Sequence, residues 1–246
     1  MKKILIKYKS KIIRAFVELL VIFVGISASF LVDEWRQNNA DDELELHYMK
    51  ALYEDITEDL ANLETQINRR NVTLDRCHFL LDAMHFPDSV KISDSQFKHY
   101  FKSMSFLEKF VPADNTFRDL NSTGNMKLID DPELKNNIYD YYRSVEELAE
   151  IESINNAASA DLTLKVVTEN FSVRTVYGFD EIYDNLDELI QFDTTVFRNP
   201  NSIEYKEMEN LLLFRNIFLS VELGHYNSMW EPAHELHDRL HAYIYQ

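Results

Sequence analysis

The chain has few of the residues that build loops, sheet corners and covalent cross-links: its 246 residues include four glycines, five prolines and one cysteine. Scarce glycine and proline disfavour a turn-rich sheet fold and favour long helices. Cys77 stands alone, which excludes an internal disulfide framework. Because 46% of the residues are hydrophobic, the chain can bury a core, and we expect an all-α domain rather than a disordered chain.

Positive charge is also scarce and is concentrated at the N-terminus. The chain carries a formal net charge of −17; residues 1–32 contribute +5, so the remainder carries −22. An acidic surface of this kind repels phosphate backbones, and we expect no nucleic-acid partner. The bases of residues 1–32, opposed only by Glu18, are Lys2, Lys3, Lys7, Lys9, Lys11 and Arg14.

The stretch from Ala15 to Val32 predicts a membrane-spanning helix. Its eighteen residues include one charge, and as a helix they span ~27 Å, enough to cross a bilayer. Because the bases precede this stretch and Trp35 follows it, the N-terminus should face the cytoplasm. The predicted organisation is a basic cytoplasmic N-terminus (1–14), a transmembrane helix in the cytoplasmic membrane (15–35) and an extracytoplasmic, periplasmic helical bundle (36–246).

A cleaved signal peptide is the alternative, since Ser27 and Ser29 could form a cleavage site. The apolar stretch continues to Val32, which favours an uncleaved anchor. Within that anchor, Glu18 either pairs with Arg14 near the cytoplasmic interface or contacts a partner helix or an ion path. Gly25 and Ser29 form a small-x-x-x-small pair, which permits close approach of a second membrane helix.

Beyond the membrane, the pattern predicts an antiparallel bundle of long helices. Apolar residues recur at nearly strict heptad spacing from Met49 to Met84, as in a coiled coil, with Arg70 as the exception. This helix either continues the membrane helix or is separated from it near residues 38–41. Local signals predict further helix boundaries: a capping box at Ser93 and Gln96, a helix end at Gly124, and caps at Asp131 and Asn201. A strand-like connector is predicted over 172–178, followed by a helix from Asp180. The helix over 211–219 is apolar on all sides and should lie at the centre of the bundle, and Pro232 should kink or break the C-terminal helix.

Two groups of side chains are candidates for binding. His234, His237 and His241 share one side of a helix and could hold zinc or another divalent metal, although they border a core face where ordinary polar positions lie. Phe117, Tyr139 and Tyr142 could line a pocket between helices, or could simply belong to the bundle core. Cys77 occupies a heptad position typical of core residues. The sequence contains no catalytic motif, so we expect that the protein is not an enzyme and binds no cofactor.

Two stretches resemble a known family. The first, R-A-F-V-E-L-L-V-I-F-V-G-I-S-A-S-F-L-V-D-E-W, contains Glu18, Gly25 and Trp35; the second, N-T-F-R-D-L-N-S-T-G-N-M-K-L-I-D-D-P-E-L-K-N-N-I-Y-D-Y-Y, surrounds Gly124. They resemble a domain-of-unknown-function family of single-pass Gram-negative bacterial membrane proteins. The resemblance implies a membrane-anchored helical domain with no established activity. Matching positions in the second stretch are Phe117, Leu120, Gly124, Leu128, Ile129, Leu134, Ile138 and Tyr142.

The function expected from these patterns is interaction rather than chemistry. The bundle would assemble as a homo-oligomer or with another envelope protein. Two alternatives remain open: a sensory or small-ligand-binding domain, and an accessory subunit of an ion-driven membrane complex in which Glu18 would be the membrane carboxylate.

Overall fold

The computed structural model describes residues 2–105, 108–170 and 198–245, with side chains over 16–104, 108–170 and 198–245. The predicted connector over 172–178 and the helix from Asp180 lie outside these residues. The described part is helical without strands, which confirms the all-α prediction. Its elements are α1 (Lys2–His85), α2 (Asp94–Ser105), α3 (Asn115–Thr123), a 3₁₀ helix (Asn125–Leu128), α4 (Pro132–Asn170) and α5 (Ile203–Ile244).

The first helix, α1, runs without interruption from the apolar segment of residues 15–32 into the bundle. We call this apolar segment the membrane segment, after the role that the sequence predicts for it. The whole of α1 runs for 84 residues, so the break considered near residues 38–41 does not occur. Within the described residues it contains one segment apolar and long enough to be a candidate membrane span, and none of that segment is buried. The large apolar side chains from Phe16 to Val32 are 47 to 70% exposed.

Local capping signals explain where the later helices begin. The Ser93 Oγ accepts a hydrogen bond from the Gln96 backbone N–H at 3.2 Å, and Asp131 Oδ1 accepts from the backbone N–H of Glu133 at 2.8 Å. Both predicted caps are therefore confirmed. The predicted cap of α5 at Asn201 is wrong by one residue. The side chain that caps α5 is that of Ser202, whose Oγ accepts a hydrogen bond from the Tyr205 backbone N–H at 3.1 Å.

Three long helices form the bundle, with α5 packed against both α1 and α4 and antiparallel to them. Of the kink or break predicted at Pro232, the break does not occur, since α5 continues through this residue to Ile244. The prediction that residues 211–219 lie centrally is correct for one face only. Leu212 and Leu219 are fully buried, whereas Phe214 and Ile217 are 45 and 54% exposed.

The core is divided into two apolar clusters along the bundle. The proximal cluster, nearer the membrane segment, joins α1 residues 48–63, α4 residues 134–148 and α5 residues 226–240. The distal cluster joins α1 residues 77–84, α2, the end of α4 and α5 residues 205–219. Between them the three long helices present polar side chains to one another.

Replacing Gly124 with alanine should destabilise the protein. Gly124 ends α3 with φ +73° and has nothing within 4 Å of the position where a Cβ would lie, so the penalty comes from the backbone alone. We expect a loss of about 1 to 2 kcal/mol in the free energy of unfolding, measured by chemical denaturation of the full-length protein in detergent.

The matched control is Gly224→Ala, in the interior of α5 and equally free of neighbours. Alanine at this helical position should stabilise the protein by about 0.5 to 1 kcal/mol. Equal effects of the two substitutions would contradict the role assigned to Gly124.

Candidate functional site

A layer of buried polar side chains separates the two apolar clusters. All of its members are less than 9% exposed, and each comes from the core face of a long helix. We call this set the polar layer: Gln66, Arg70 and Thr73 from α1, Glu152, Asn155, Ser159 and Thr163 from α4, and Arg215 and Glu222 from α5.

Arg70 is the centre of the polar layer. Its guanidinium is fully buried and contacts two buried carboxylates, donating from Nη2 to Glu152 Oε1 and from Nε to Glu222 Oε2, the latter at 2.8 Å. Its Nη1 donates to Gln66 Oε1 at 2.7 Å, and its Cζ lies 4.4 Å from the centre of the Tyr226 ring. One side chain of α1 therefore holds both α4 and α5.

The carboxylates of Glu152 and Glu222 accept further hydrogen bonds. Glu152 accepts from the Tyr226 hydroxyl at 2.6 Å and from the Phe110 backbone N–H at 3.0 Å, and Glu222 accepts from Asn155 Nδ2 at 3.1 Å. Burial raises the pKa of Glu152, although Tyr226, Arg70 and Phe110 all favour its ionised form. Burial likewise raises the pKa of the Tyr226 hydroxyl, which stays protonated and able to donate.

A further buried carboxyl, that of Asp59, fixes the chain segment between α2 and α3. It accepts from the Ala113 backbone N–H and from the Tyr141 hydroxyl, both at 2.8 Å. Burial raises its pKa from 3.8 to about 6, against the opposing effect of these two hydrogen bonds. Together Asp59 and Glu152 bind the backbone of residues 110–113 to α1 and α4.

The chemistry of this arrangement is that of an internal ion network. The Arg70 donors point at protein acceptors on α1, α4 and α5, and the carboxylates are held from several sides, so the network fixes helix register. Removing one member would leave an unpaired buried charge. Among the described residues, no group of three or more His, Cys, Asp or Glu side chains is placed to hold a metal ion.

The three histidines of α5 do not form the predicted metal site. His234 places its Nδ1 3.0 Å from the Trp230 carbonyl oxygen. The rings of His237 and His241 lie 4.6 and 5.8 Å from the ring of Tyr53. The helical spacing puts them on one side of α5, but each engages a neighbour on its own or the adjacent helix instead of converging on a common point.

The aromatic residues proposed to line a pocket are brought together, but as a packed group. Phe117 stacks on Tyr142 with ring centres 4.1 Å apart, and contacts Tyr139 edge-on at 5.9 Å. The hydroxyls of Tyr142 and Tyr139 hydrogen-bond to the Ala113 carbonyl and to Asn121 Oδ1, respectively. These contacts join α3 to α4, as a structural corner requires.

The remaining candidates lie apart from the polar layer. Glu18, Gly25 and Ser29 are on the exposed membrane segment of α1, and no atom lies within 4 Å of a Cβ built on Gly25. Their role in contacts between membrane helices stays a prediction. Cys77 is buried in the distal cluster as expected, and burial raises the pKa of its thiol to about 12.

Sequence reasoning missed the polar layer, although its signal was present. Arg70 interrupts an otherwise apolar heptad, and Glu222 interrupts an apolar stretch of α5. On α4, Glu152, Asn155 and Ser159 continue the stripe that Leu148 occupies, at offsets of three and four residues. Charged residues on the core faces of three helices indicate mutual pairing, but their partners depend on how the helices are arranged.

Comparison with known proteins adds no relative: no family model matches the chain, and neither a curated protein nor a solved structure was found to be similar to it. The resemblance to a family of single-pass membrane proteins therefore stays a prediction.

Replacing Arg70 with methionine should destabilise the bundle strongly. The substitution keeps much of the side-chain length but leaves Glu152 and Glu222 buried without their cation. We expect a loss of about 3 to 5 kcal/mol in the free energy of unfolding. Arg69→Met is the matched control, since Arg69 pairs with Glu108 at the surface, and its loss should be about 1 kcal/mol or less. Similar losses for both variants would contradict the central role of Arg70.

The raised pKa of Asp59 predicts a pH-dependent contribution to stability. Folding takes up a proton at Asp59 between its unfolded pKa of 3.8 and its folded pKa of about 6, so stability falls as the pH rises through this window. Between about pH 4 and pH 7, the stability of the wild type relative to Asp59→Asn should fall by about 2 kcal/mol.

Chemical denaturation at several pH values measures this difference, and the exposed neighbour Glu58 provides the control. Glu58→Gln should follow the wild-type pH profile closely. Parallel profiles for the wild type and Asp59→Asn would show that Asp59 does not retain its proton in the folded chain.

Proposed function

We propose that this chain is a single-pass protein of the cell envelope whose periplasmic bundle assembles with a second copy of itself through the outward face of α5. Its basic N-terminus lies in the cytoplasm, and the apolar part of α1 crosses the cytoplasmic membrane. The exposed apolar segment from Phe16 to Val32, with bases before it and acidic sequence after it, supports this orientation.

The observation that carries the self-assembly proposal is an uncharged outer face on α5. We call Leu213, Phe214, Ile217 and Val221 the outer stripe; these side chains are 43 to 54% exposed. Residues 210–224 contain only two charged side chains, Arg215 and Glu222, and both are buried in the polar layer. An apolar patch on an otherwise charged surface is typical of an interaction site.

Charge and position favour a second copy of this chain, rather than a lipid surface, as the partner that covers the outer stripe. The chain beyond residue 32 carries −22, so two copies can approach closely only where each presents an uncharged surface. The outer stripe lies level with Arg70, which pairs with Glu222. Arg70 is 35 residues beyond Trp35 on the continuous helix α1, or about 50 Å above the membrane surface.

The membrane anchor also fixes the relative orientation of two copies and raises their local concentration. Two chains anchored in the same direction are related by a twofold axis along the membrane normal, so their α5 helices run parallel and each residue of the outer stripe meets its own copy. Four side chains cover less than the roughly 800 Å² per partner of a stable interface. Confinement to one membrane compensates by raising the effective concentration of the partner.

The other functions expected from the sequence are less well supported. A small-ligand receptor needs convergent polar groups that face a cavity, whereas Arg70, Glu152 and Glu222 are engaged with one another. The accessory subunit of an ion-driven complex stays a prediction that rests on Glu18.

Cysteine cross-linking in native membranes tests the self-assembly proposal. Ile217→Cys should give a disulfide-linked dimer on mild oxidation, seen on a non-reducing gel, because the two copies of residue 217 face each other. Asn71→Cys is the matched control: it is exposed at the same height, but on α1. The native Cys77 can remain, since it is fully buried and its pKa is raised to about 12, which leaves little reactive thiolate.

Dimer formation by Ile217→Cys and its absence for Asn71→Cys would support the proposal. Equal cross-linking at both positions would contradict the self-assembly proposal. Native mass spectrometry of the detergent-extracted wild type adds an independent readout, and a defined complex with a different envelope protein would replace self-assembly.

A further inference from the structure

The second arginine of the polar layer, Arg215, is held very differently from Arg70. It is 3% exposed, and its Nη1 donates to Ser159 Oγ at 2.8 Å. Its Nε and Nη2 are buried and have no hydrogen-bond partner among the described residues. No described carboxylate lies within ion-pair distance of it, so a buried cation is left with two unused donor atoms.

Arg215 also lines a small cavity. Its volume is about 10 Å³, and it is lined by Arg215 with Phe101, Met104, Thr163 and Leu211, all of which are buried. Apart from Arg215 none of these side chains is charged, and only Thr163 has a polar group. A volume of this size is just enough for one water-sized particle. A halide ion is larger, and it fits when Met104, an unbranched and flexible side chain, shifts.

The uneven pairing of charges in the polar layer favours an anion as that particle, because its two carboxylates, Glu152 and Glu222, both contact Arg70 and neither forms an ion pair with Arg215. Glu222 is the nearest counter-charge, but its two oxygens already accept from Arg70 and Asn155. Glu152, the other carboxylate, contacts Arg70, Tyr226 and Phe110. An unpaired guanidinium away from water is costly. A neutral water would satisfy the N–H groups without giving Arg215 a counter-charge in direct contact.

We propose that Arg215 and the adjoining cavity bind one small monovalent anion of the size of chloride or bromide, held by Nε and Nη2 between α2, α4 and α5. The bound anion links the distal cluster to the polar layer and stabilises the folded chain. This site is independent of the outer stripe, which faces the opposite side of α5.

Halide-dependent unfolding of the full-length protein in detergent tests the proposal. The thermal midpoint is measured while sodium gluconate is replaced by sodium chloride or bromide at constant ionic strength. Gluconate is too large for the cavity. The midpoint should rise with the logarithm of the halide concentration above Kd, by roughly 5 to 10 °C at a hundredfold excess over Kd.

Two variants make the halide experiment specific. Arg215→Met removes the cation and should make the midpoint independent of halide. Arg69→Met removes a surface cation and should retain the wild-type response. A midpoint that does not depend on halide in the wild type, or an equal dependence in the wild type and Arg215→Met, would overturn the proposal.

Crystals of the wild type grown in bromide decide the question even if Arg215→Met fails to fold. An anomalous scattering peak within hydrogen-bond distance of Arg215 Nε and Nη2 would support the anion site. Density without an anomalous signal at that position would identify a water and would overturn the proposal.

Discussion

The buried pairing of Arg70 with Glu152 and Glu222 is the interaction on which the rest of the bundle depends. Each carboxylate comes from a different helix, so a single guanidinium on α1 fixes the height of both α4 and α5. Apolar side chains pack in many registers with similar energy, whereas a buried charge tolerates only the register that pairs it. The same network reaches the chain segment between α2 and α3 through the Phe110 backbone N–H.

This constraint also explains the unusual distribution of polarity on α5. The helix turns Arg215 and Glu222 inward to the polar layer and leaves Phe214 and Ile217 outward. An amphipathic helix normally does the reverse. Glu222 pairs with Arg70 on α1, and Arg215 donates one hydrogen bond to Ser159 on α4, while the outward apolar side chains have no partners on those helices. The organisation of the core therefore determines which apolar surface is available for the assembly that we propose.

Local signals in the sequence were reliable where a few adjacent residues decide the structure. Asp131 before Pro132 caps α4, and Gly124 adopts the left-handed conformation that ends α3. The same reasoning failed where contacts along the whole helix outweigh a local preference. Pro232 did not break α5, which is held by packing on both sides of it, and the helical spacing of three histidines did not make a metal site.

The sequence by itself determined the helical class, the candidate membrane segment, the charge asymmetry and most helix ends, because each depends on composition or on neighbours within one or two turns. Only the tertiary structure decided which helices meet at Arg70, that Asp59 binds the backbone at Ala113, and that Arg215 faces a cavity. Arg70 and Glu222 are 152 residues apart in the chain. Periodicity shows that each faces a core, but not that they face each other, since the relative height and rotation of helices are properties of the packed bundle.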